Sequence, residues 1–446
     1  MTPAAASLED LYDALDNDAP LDIDRVEDQR LYVADLHKTE GPSPVEELIF
    51  QIKRNKTPGA WYFTGHRGVG KSTELRRVAH ELRAAGHVAV VADMGEYLNL
   101  AEEISIELLL LTMMAALSEE VERLSGGDPL VRGYFTRLKD YFARTQVEVP
   151  ELTAAVDAAG AKASVKAVLK NNPTLREKVV GAVRESLGTF SDDVEAFADE
   201  MVQYLRKGKP ERKVVLILDS LERLRFGGVG ADKRYEAIQR TFDTYAEHLK
   251  FKSLNVVYSI PPYLPHLVPK LGSYFGVNVC TLPHVKVFER PRLGDGTPRL
   301  FAPGVALMKE CLLKRYPPLD QTVDPALTQR MIQASSGSPR EFFRLMRTLC
   351  TKAILSGETV PMRNPRWAQA AEQELRNEMP LAEADIHWLK KVRTSNGTGL
   401  DKIENLSSLA RLFDSGLILG YRNSEDWCDV HWLLRDEVDA SQLSEP

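Results

Sequence analysis

One segment near the start of the chain constrains the fold more than any other feature. The sequence AWYFTGHRGVGKSTEL contains the pattern G-x-x-x-x-G-K-[ST], which runs from Gly65 to Ser72. An aromatic and β-branched run, Trp61 to Thr64, precedes the pattern and predicts a strand. Apolar residues at helical spacing follow it as far as Gly86 and predict a helix. A strand, a glycine-rich loop and a helix in this order predict an α/β domain with a phosphate-binding loop.

The residue types of this loop suit a polyphosphate. Its glycines allow the backbone N–H groups to curl around a phosphate, and the helix that follows adds a partial positive charge. Lys71 is predicted to reach the β- and γ-phosphates, and the Ser72 hydroxyl to bind Mg²⁺. The alternative is a glycine-rich turn with a merely solvated lysine, and the flanking strand and helix weigh against it. The predicted nucleotide-binding residues are Gly65, His66, Arg67, Gly68, Val69, Gly70, Lys71, Ser72 and Thr73.

A second segment, KVVLILDSLE, supplies candidate acids. Five apolar residues, Val214 to Leu218, lead directly into Asp219. Such a run is typical of a strand that is buried on both faces and brings a carboxylate to the carboxyl edge of a sheet. Asp219 is therefore predicted to be the metal-side acid, a role that is compatible with capping the next helix. Glu222 is the candidate to polarise the attacking water, and a solvated first-turn glutamate is an equally good interpretation.

Two polar residues further along the chain are candidate phosphate sensors. Ser259 lies near the end of the predicted strand LNVVYSI, although serines often cap the next element instead. In SGSPREFFRL, Ser338 is a predicted N-cap, Pro339 the first helical residue and Arg340 part of the first turn. A cation in the first turn opposes the helix dipole. This placement favours a phosphate-facing role for Arg340 over that of a solvated arginine.

The alternation of strands and helices predicts a parallel sheet wound on both faces. Residues 9–28 hold nine acids and one base, which predicts a solvated face, with a docking arm for a basic partner as the alternative. The small-residue-rich segment 154–170 is predicted to be a mobile hairpin or loop. The predicted domains are an acidic N-terminal extension (1–43), a P-loop core (44–94 and 213–290), a helical insertion (95–212), a helical lid (291–378) and a winged-helix-like domain (379–446).

Charge and composition exclude several classes of protein. The formal net charge of −7 argues against a general nucleic-acid coat. The four cysteines lack metal-ligand spacing, which argues against a zinc module or a disulfide scaffold and favours a reducing cytosol. Neither a signal peptide nor a membrane span is visible, so a cytoplasmic protein is predicted. Residues 379–446 hold seven Lys and Arg against twelve Asp and Glu, which favours a protein contact over a DNA-reading wing.

Taken together, GHRGVGKST, VVLILDSLE, NVVYSI and SGSPRE resemble the Walker A, Walker B, sensor 1 and sensor 2 segments of AAA+-type ATPases. With the winged-helix-like tail, the order resembles the branch that contains origin-recognition initiators and STAND switch ATPases. More closely, it resembles stand-alone bacterial ATPases, many of which belong to anti-phage defence systems. The resemblance implies that the Walker A loop binds nucleotide, Asp219 the Mg²⁺, Ser259 stands in for the sensor 1 group, and Arg340 touches the γ-phosphate.

The chain also departs from this pattern. Ser220 follows the Walker B aspartate, where the family often has an acid, and the helix predicted after the strand LNVVYSI ends without an arginine finger. These departures predict ATP hydrolysis, with Mg²⁺, that is slow or activated by a partner. The predicted role is a switch in which the nucleotide state repositions the lid and the winged-helix-like tail against a protein partner. A homo-oligomer is compatible with this prediction, and a membrane partner is not expected. The alternatives are a DNA-associated initiator or transposition helper, and a nucleotide-binding scaffold with degenerate hydrolysis.

Overall fold

The structure, a computed structural model, describes most of the chain. The predicted loop at 154–170 falls almost wholly outside the described residues. By its internal contacts the chain divides into two compact units, the first being Met1–Glu47, Gly65–Arg77 and Thr281–Pro446, and the second Leu48–Thr64 and Val78–Cys280. The described ranges are 6–16, 19–38, 41–100, 102–125, 134–144, 170, 173–223, 231–291, 298–399, 406–423 and 425–441.

A five-stranded sheet in the order β2-β3-β4-β1-β5 carries the fold. Its ladders from β2 to β1 are parallel, as the alternation of strands and helices predicted. β1, β3 and β4 are buried along their whole length, which explains why their sequences are nearly unbroken apolar runs. The strands are β1 (Ala60–Gly65), β2 (Val88–Asp93), β3 (Val214–Asp219), β4 (Asn255–Ile260) and β5 (Cys280–Leu282).

The register of the sheet aligns the ends of its central strands. Leu218 in β3 pairs with Tyr258 in β4, so Asp219 and Ser259 follow at the same level. Ser259 in turn pairs with Phe63 in β1, two residues before the strand enters the glycine loop. Both candidate residues therefore lie at the carboxyl edge of the sheet, where parallel α/β folds bind their ligands.

Helices of the second unit cover the sheet, and several of them lie between β2 and β3 along the chain. One of these, α5 (Ile106–Ser125), is buried along most of its length because it packs against β2 and against neighbouring helices. Apolar residues recur at intervals of three or four from Leu175 to Leu205, and this stretch forms two helices with non-helical backbone at Ser186 between them. The helices of this part of the chain are α3 (Pro44–Arg54), α4 (Lys71–Ala84), α5 (Ile106–Ser125), α6 (Tyr134–Arg144), α7 (Pro173–Arg184), α8 (Leu187–Arg206), α9 (Ala231–Phe242) and α10 (Leu264–Leu267).

The first unit contains the C-terminal part of the chain, which is mostly helical. Two helices and an antiparallel hairpin, β6 (Ile418–Arg422) with β7 (Asp426–Val430), follow one another near its end. The helices are α11 (Ala302–Arg315), α12 (Leu319–Thr322), α13 (Pro325–Ala334), α14 (Pro339–Leu355), α15 (Pro365–Asn377), α16 (Glu383–Ser395), α17 (Leu406–Asp414) and α18 (Arg435–Ala440).

The acidic N-terminal segment belongs to the same unit and forms α1 (Leu8–Ala14) and α2 (Val26–Leu31). α1 packs against α14 and buries its apolar stripe, including Leu8 and Leu11. Its polar side contributes as well, because the Arg347 guanidinium lies 4.6 Å from the centre of the Tyr12 ring. The acidic stretch is therefore solvated on one face only. Within the described ranges, no helix is both long and apolar enough to span a membrane.

Candidate functional site

The glycine loop adopts backbone geometry that other residues cannot easily take. Gly68 and Gly70 have φ angles of +86° and +101°, in a region that side chains with a Cβ rarely occupy. Gly68 is also crowded, because a Cβ there would lie 2.8 Å from Ser338 Oγ and 3.1 Å from the Cβ of Arg340. Glycine is thus required at position 68 by conformation and by the approach of α14.

Lys71 is the first residue of α4, and its side chain is held by the loop itself. The residue is only 5% exposed, and its Nζ donates a hydrogen bond of 2.7 Å to the carbonyl oxygen of His66. The ammonium group is therefore positioned before any ligand arrives, which reduces the entropy that binding must remove. Ser72 and Thr73 follow in the first turn, and Thr73 Oγ1 accepts a hydrogen bond of 3.1 Å from the Leu21 backbone.

The first turn of α14 lies directly against the glycine loop, within the same unit. Ser338 caps this helix by accepting a hydrogen bond of 3.4 Å from the Glu341 backbone N–H. The backbone N–H of Arg340 donates to the carbonyl oxygen of Gly68 over 3.3 Å. The half-buried side chain of Arg340 therefore starts beside the loop. A cation at this position opposes the dipole of its own helix and adds positive charge to the loop.

His66, which the sequence pattern leaves as a variable position, is 6% exposed. Its ring stacks on Phe413 of α17 with a centroid distance of 5.1 Å and an interplanar angle of 18°. On another side it contacts the His284 ring at 4.8 Å. Burial lowers the pKa of His284 to about 4, so this imidazole is neutral at pH 7. Nothing in the sequence indicates these contacts, because Phe413 and His284 lie far from the loop along the chain.

The second unit carries the candidate acids on one turn. Asp219 Oδ1 accepts a hydrogen bond of 2.8 Å from the Ser220 N–H, and a short 3-10 turn, Leu221–Arg223, follows. This turn brings Glu222 to Ser259, whose hydroxyl donates to Glu222 Oε2 over 2.5 Å. The structure thus joins two residues that the sequence had predicted for separate roles. The hydrogen bond orients the Glu222 carboxylate at the edge of the sheet.

The backbone at the centre of this turn is strained. Ser220 has a φ of +73° and is fully buried, and its hydroxyl has no hydrogen-bond partner among the described residues. Left-handed non-glycine residues and unpaired buried hydroxyls each cost about 1–3 kcal/mol, and such strain is concentrated at functional sites. The sequence gives no warning of this strain, because serine is common in every kind of turn.

Replacing Ser220 with glycine is expected to raise the free energy of unfolding by about 1 kcal/mol, because glycine removes both penalties and these outweigh the additional unfolded-state entropy that glycine introduces. Chemical denaturation measures the change. The matched control is Ser118→Gly in the buried middle of α5, which is expected to destabilise the chain by about 1 kcal/mol. A Ser220→Gly variant that is less stable than wild type would show that position 220 is unstrained.

Asp219 is a residue at this edge of the sheet that could bind a metal ion. Among the residues that the structure describes, no three His, Cys, Asp or Glu side chains form a metal-binding cluster. Mg²⁺ in nucleotide sites typically takes one or two protein oxygens and completes its shell with phosphates and water. Asp219, which is 5% exposed, offers one such carboxylate.

The sheet order and the loop geometry together decide the fold. A parallel sheet in the order β2-β3-β4-β1-β5 passes from β1 through a G-x-x-x-x-G-K-S loop into α4. The fold is an α/β fold of the P-loop NTPase type. No protein-family model matches the chain, and no curated protein is similar to it in sequence.

Several solved structures align with the chain over most of its length. The ORC1 protein of Aeropyrum pernix in complex with DNA is 12% identical, with 96% of this chain and 97% of that chain covered and a TM-score of 0.36. The ADP form of the ORC2 protein of the same organism is 12% identical, with coverages of 92% and 96% and a TM-score of 0.37. A RuvB variant of Thermotoga maritima is 14% identical, with coverages of 86% and 89% and a TM-score of 0.34.

Proposed function

We propose that the chain is an ATP-binding switch of the AAA+/STAND type that hydrolyses ATP slowly or on activation by a partner. The observation that carries the proposal is the approach of α14 to the glycine loop, where Arg340 lies beside Gly68. The loop already holds Lys71 in place through the His66 carbonyl. A cradle of backbone N–H groups with two nearby cations is suited to a charged polyphosphate.

The hydrolytic half of the proposal rests on the turn after β3. Ser72 and Asp219 would hold Mg²⁺, which neutralises charge on the β- and γ-phosphates when it is bound. Glu222 would polarise the attacking water, with its carboxylate oriented by the Ser259 hydroxyl. Ser259 therefore acts through Glu222 in this proposal, in addition to the sensor role that the sequence predicted for it.

Arg340 would couple the identity of the bound nucleotide to the conformation of the rest of the first unit. ATP carries a γ-phosphate that ADP lacks, so only ATP offers that charge to the guanidinium. A ligand shifts a conformational equilibrium only by its differential affinity for the two states. An Arg340 contact with the γ-phosphate would supply such a difference and favour an ATP-specific arrangement of α14 and the elements that pack on it.

We expect Arg340→Ala to bind Mg-ADP like wild type and a non-hydrolysable Mg-ATP analogue about tenfold more weakly, because one charge-assisted hydrogen bond is lost. Small-angle scattering should then show an ATP-dependent change of shape or assembly in wild type and none in the variant. The matched control is Arg344→Ala one turn along the same helix, where the guanidinium pairs with Glu378. If Arg340→Ala binds both Mg-ADP and the Mg-ATP analogue with wild-type affinity, the sensor role is ruled out.

We propose that the switch acts on a protein partner. Residues 379–446, which we propose to be a winged-helix domain, hold more acids than bases, and a groove-reading domain would be basic. The resemblance to stand-alone bacterial ATPases supports a role in anti-phage defence. Binding to duplex DNA that weakens steeply with salt would instead favour an initiator or transposition helper.

A further inference from the structure

The C-terminal module, defined here as residues 379–441, touches the phosphate loop itself. Phe413 of α17 is 4% exposed and stacks on the His66 ring at 5.1 Å. The hairpin approaches from β6, where a Cβ on Gly420 would lie 3.4 Å from His66 Nε2. The side chain of His66 thus contacts both the helix and the hairpin of the module, while its carbonyl oxygen holds Lys71. One loop residue connects the module and the predicted phosphate-binding lysine.

Other contacts hold the module in place independently of this ring pair. The Tyr421 hydroxyl donates to the Ser336 carbonyl over 2.8 Å, and the Trp432 N–H donates to Ser336 Oγ over 2.9 Å. The Gly420 carbonyl accepts a hydrogen bond of 2.9 Å from the His284 N–H. Loss of the Phe413 ring would therefore leave the module docked. The Phe413–His66 contact can be removed without undocking the domain.

We propose that the C-terminal module is part of the phosphate-binding site, and that Phe413 stacked on His66 holds the loop in its phosphate-binding shape. This inference rests on the proposed nucleotide binding and extends it to the regulation of the same site. A loop residue that is ordered before the ligand arrives does not have to be ordered by it, so the stack increases affinity. By thermodynamic reciprocity, a nucleotide that orders the loop must stabilise the docked module by the same factor.

The chain provides a closely matched control for this contact. Phe288 and Trp432 form a second stacked pair between the preceding segment and the module, with a centroid distance of 5.2 Å and an angle of 18°. This pair has nearly the same geometry as the Phe413–His66 pair but involves no residue of the loop. Trp432→Leu and Phe413→Leu therefore weaken the same kind of packing, and only Phe413→Leu alters the loop.

The experiment measures Mg-ADP affinity by titration calorimetry for wild type, Phe413→Leu and Trp432→Leu, with denaturation curves to verify folding. A stacked aromatic pair corresponds to about a two- to tenfold change in affinity, so Phe413→Leu should bind Mg-ADP that much more weakly. Trp432→Leu should bind like wild type. In a double-mutant cycle with His66→Ala, the effect of Phe413→Leu should disappear, because its partner ring is already absent.

Hydrogen exchange provides the reciprocal readout. Mg-ADP should slow amide exchange in β6 and α17 of wild type, and do so less in Phe413→Leu. Unchanged or tighter Mg-ADP binding by Phe413→Leu, or an equal loss in Trp432→Leu, would overturn the inference while leaving nucleotide binding intact. Failure of wild type to bind Mg-ADP would overturn the proposed function as well.

Discussion

Lys71→Ala is expected to reduce the affinity for Mg-ATP by about 100-fold or more while the protein remains folded. Removing one partner of a close charge pair typically costs 2–5 kcal/mol, and about 2.7 kcal/mol corresponds to a factor of 100. The fold should persist, because the buried strands β1, β3 and β4 supply the core of the sheet independently of this side chain. Titration calorimetry with Mg-ATP and a denaturation curve measure the two quantities separately.

Lys314→Ala is the matched control, because it also removes a lysine that donates a hydrogen bond to a backbone carbonyl. Lys314 Nζ donates to the Tyr32 carbonyl oxygen over 2.6 Å, the same kind of bond that Lys71 makes to His66 over 2.7 Å. Lys314→Ala should keep wild-type affinity, since its ammonium lies outside the glycine loop. If Lys71→Ala binds Mg-ATP with wild-type affinity, the nucleotide does not bind at this loop.

Glu222→Gln is expected to slow ATP hydrolysis by about 10²- to 10⁴-fold and to leave ATP binding intact, because the amide cannot accept the water's proton. Its Oε can still accept the hydrogen bond from Ser259, so the turn after Asp219 should keep its shape. Asp219→Asn should share the loss of turnover, since it removes the carboxylate charge proposed for the metal. Phosphate release at saturating Mg-ATP measures both variants. If Glu222→Gln hydrolyses ATP at the wild-type rate, Glu222 is not the general base.

The parts of the fold that could be predicted from sequence are those with a strong local signal. The buried strands appear as apolar runs because both of their faces are covered, and the glycine loop appears as a motif because its backbone needs positive φ angles. The position of Arg340 at a helix start was also readable, since Ser338 and Pro339 are typical N-terminal residues. The apolar spacing from Leu175 to Leu205 indicates helix but does not show the interruption at Ser186, because periodicity identifies a buried face and not a break in it.

The contacts that organise the candidate site were not predictable in the same way. Serine is compatible with many backbone conformations, so the left-handed geometry of Ser220 has no sequence signal. The hydrogen bond between Glu222 and Ser259 depends on the register of β3 and β4, which apolar runs do not specify. The stack of Phe413 on His66 depends on which face of α17 meets the loop, and a helical pattern shows only that one face is apolar.

We propose that the chain binds ATP in the glycine loop and hydrolyses it slowly. Single-turnover kinetics measure both steps: an excess of purified protein is mixed with γ-labelled Mg-ATP, and bound nucleotide and released phosphate are followed with time. Wild type is expected to retain ATP and to convert it to phosphate at less than about 1 s⁻¹, the low end of enzyme turnover. If wild type retains no labelled ATP, the proposed nucleotide site is wrong.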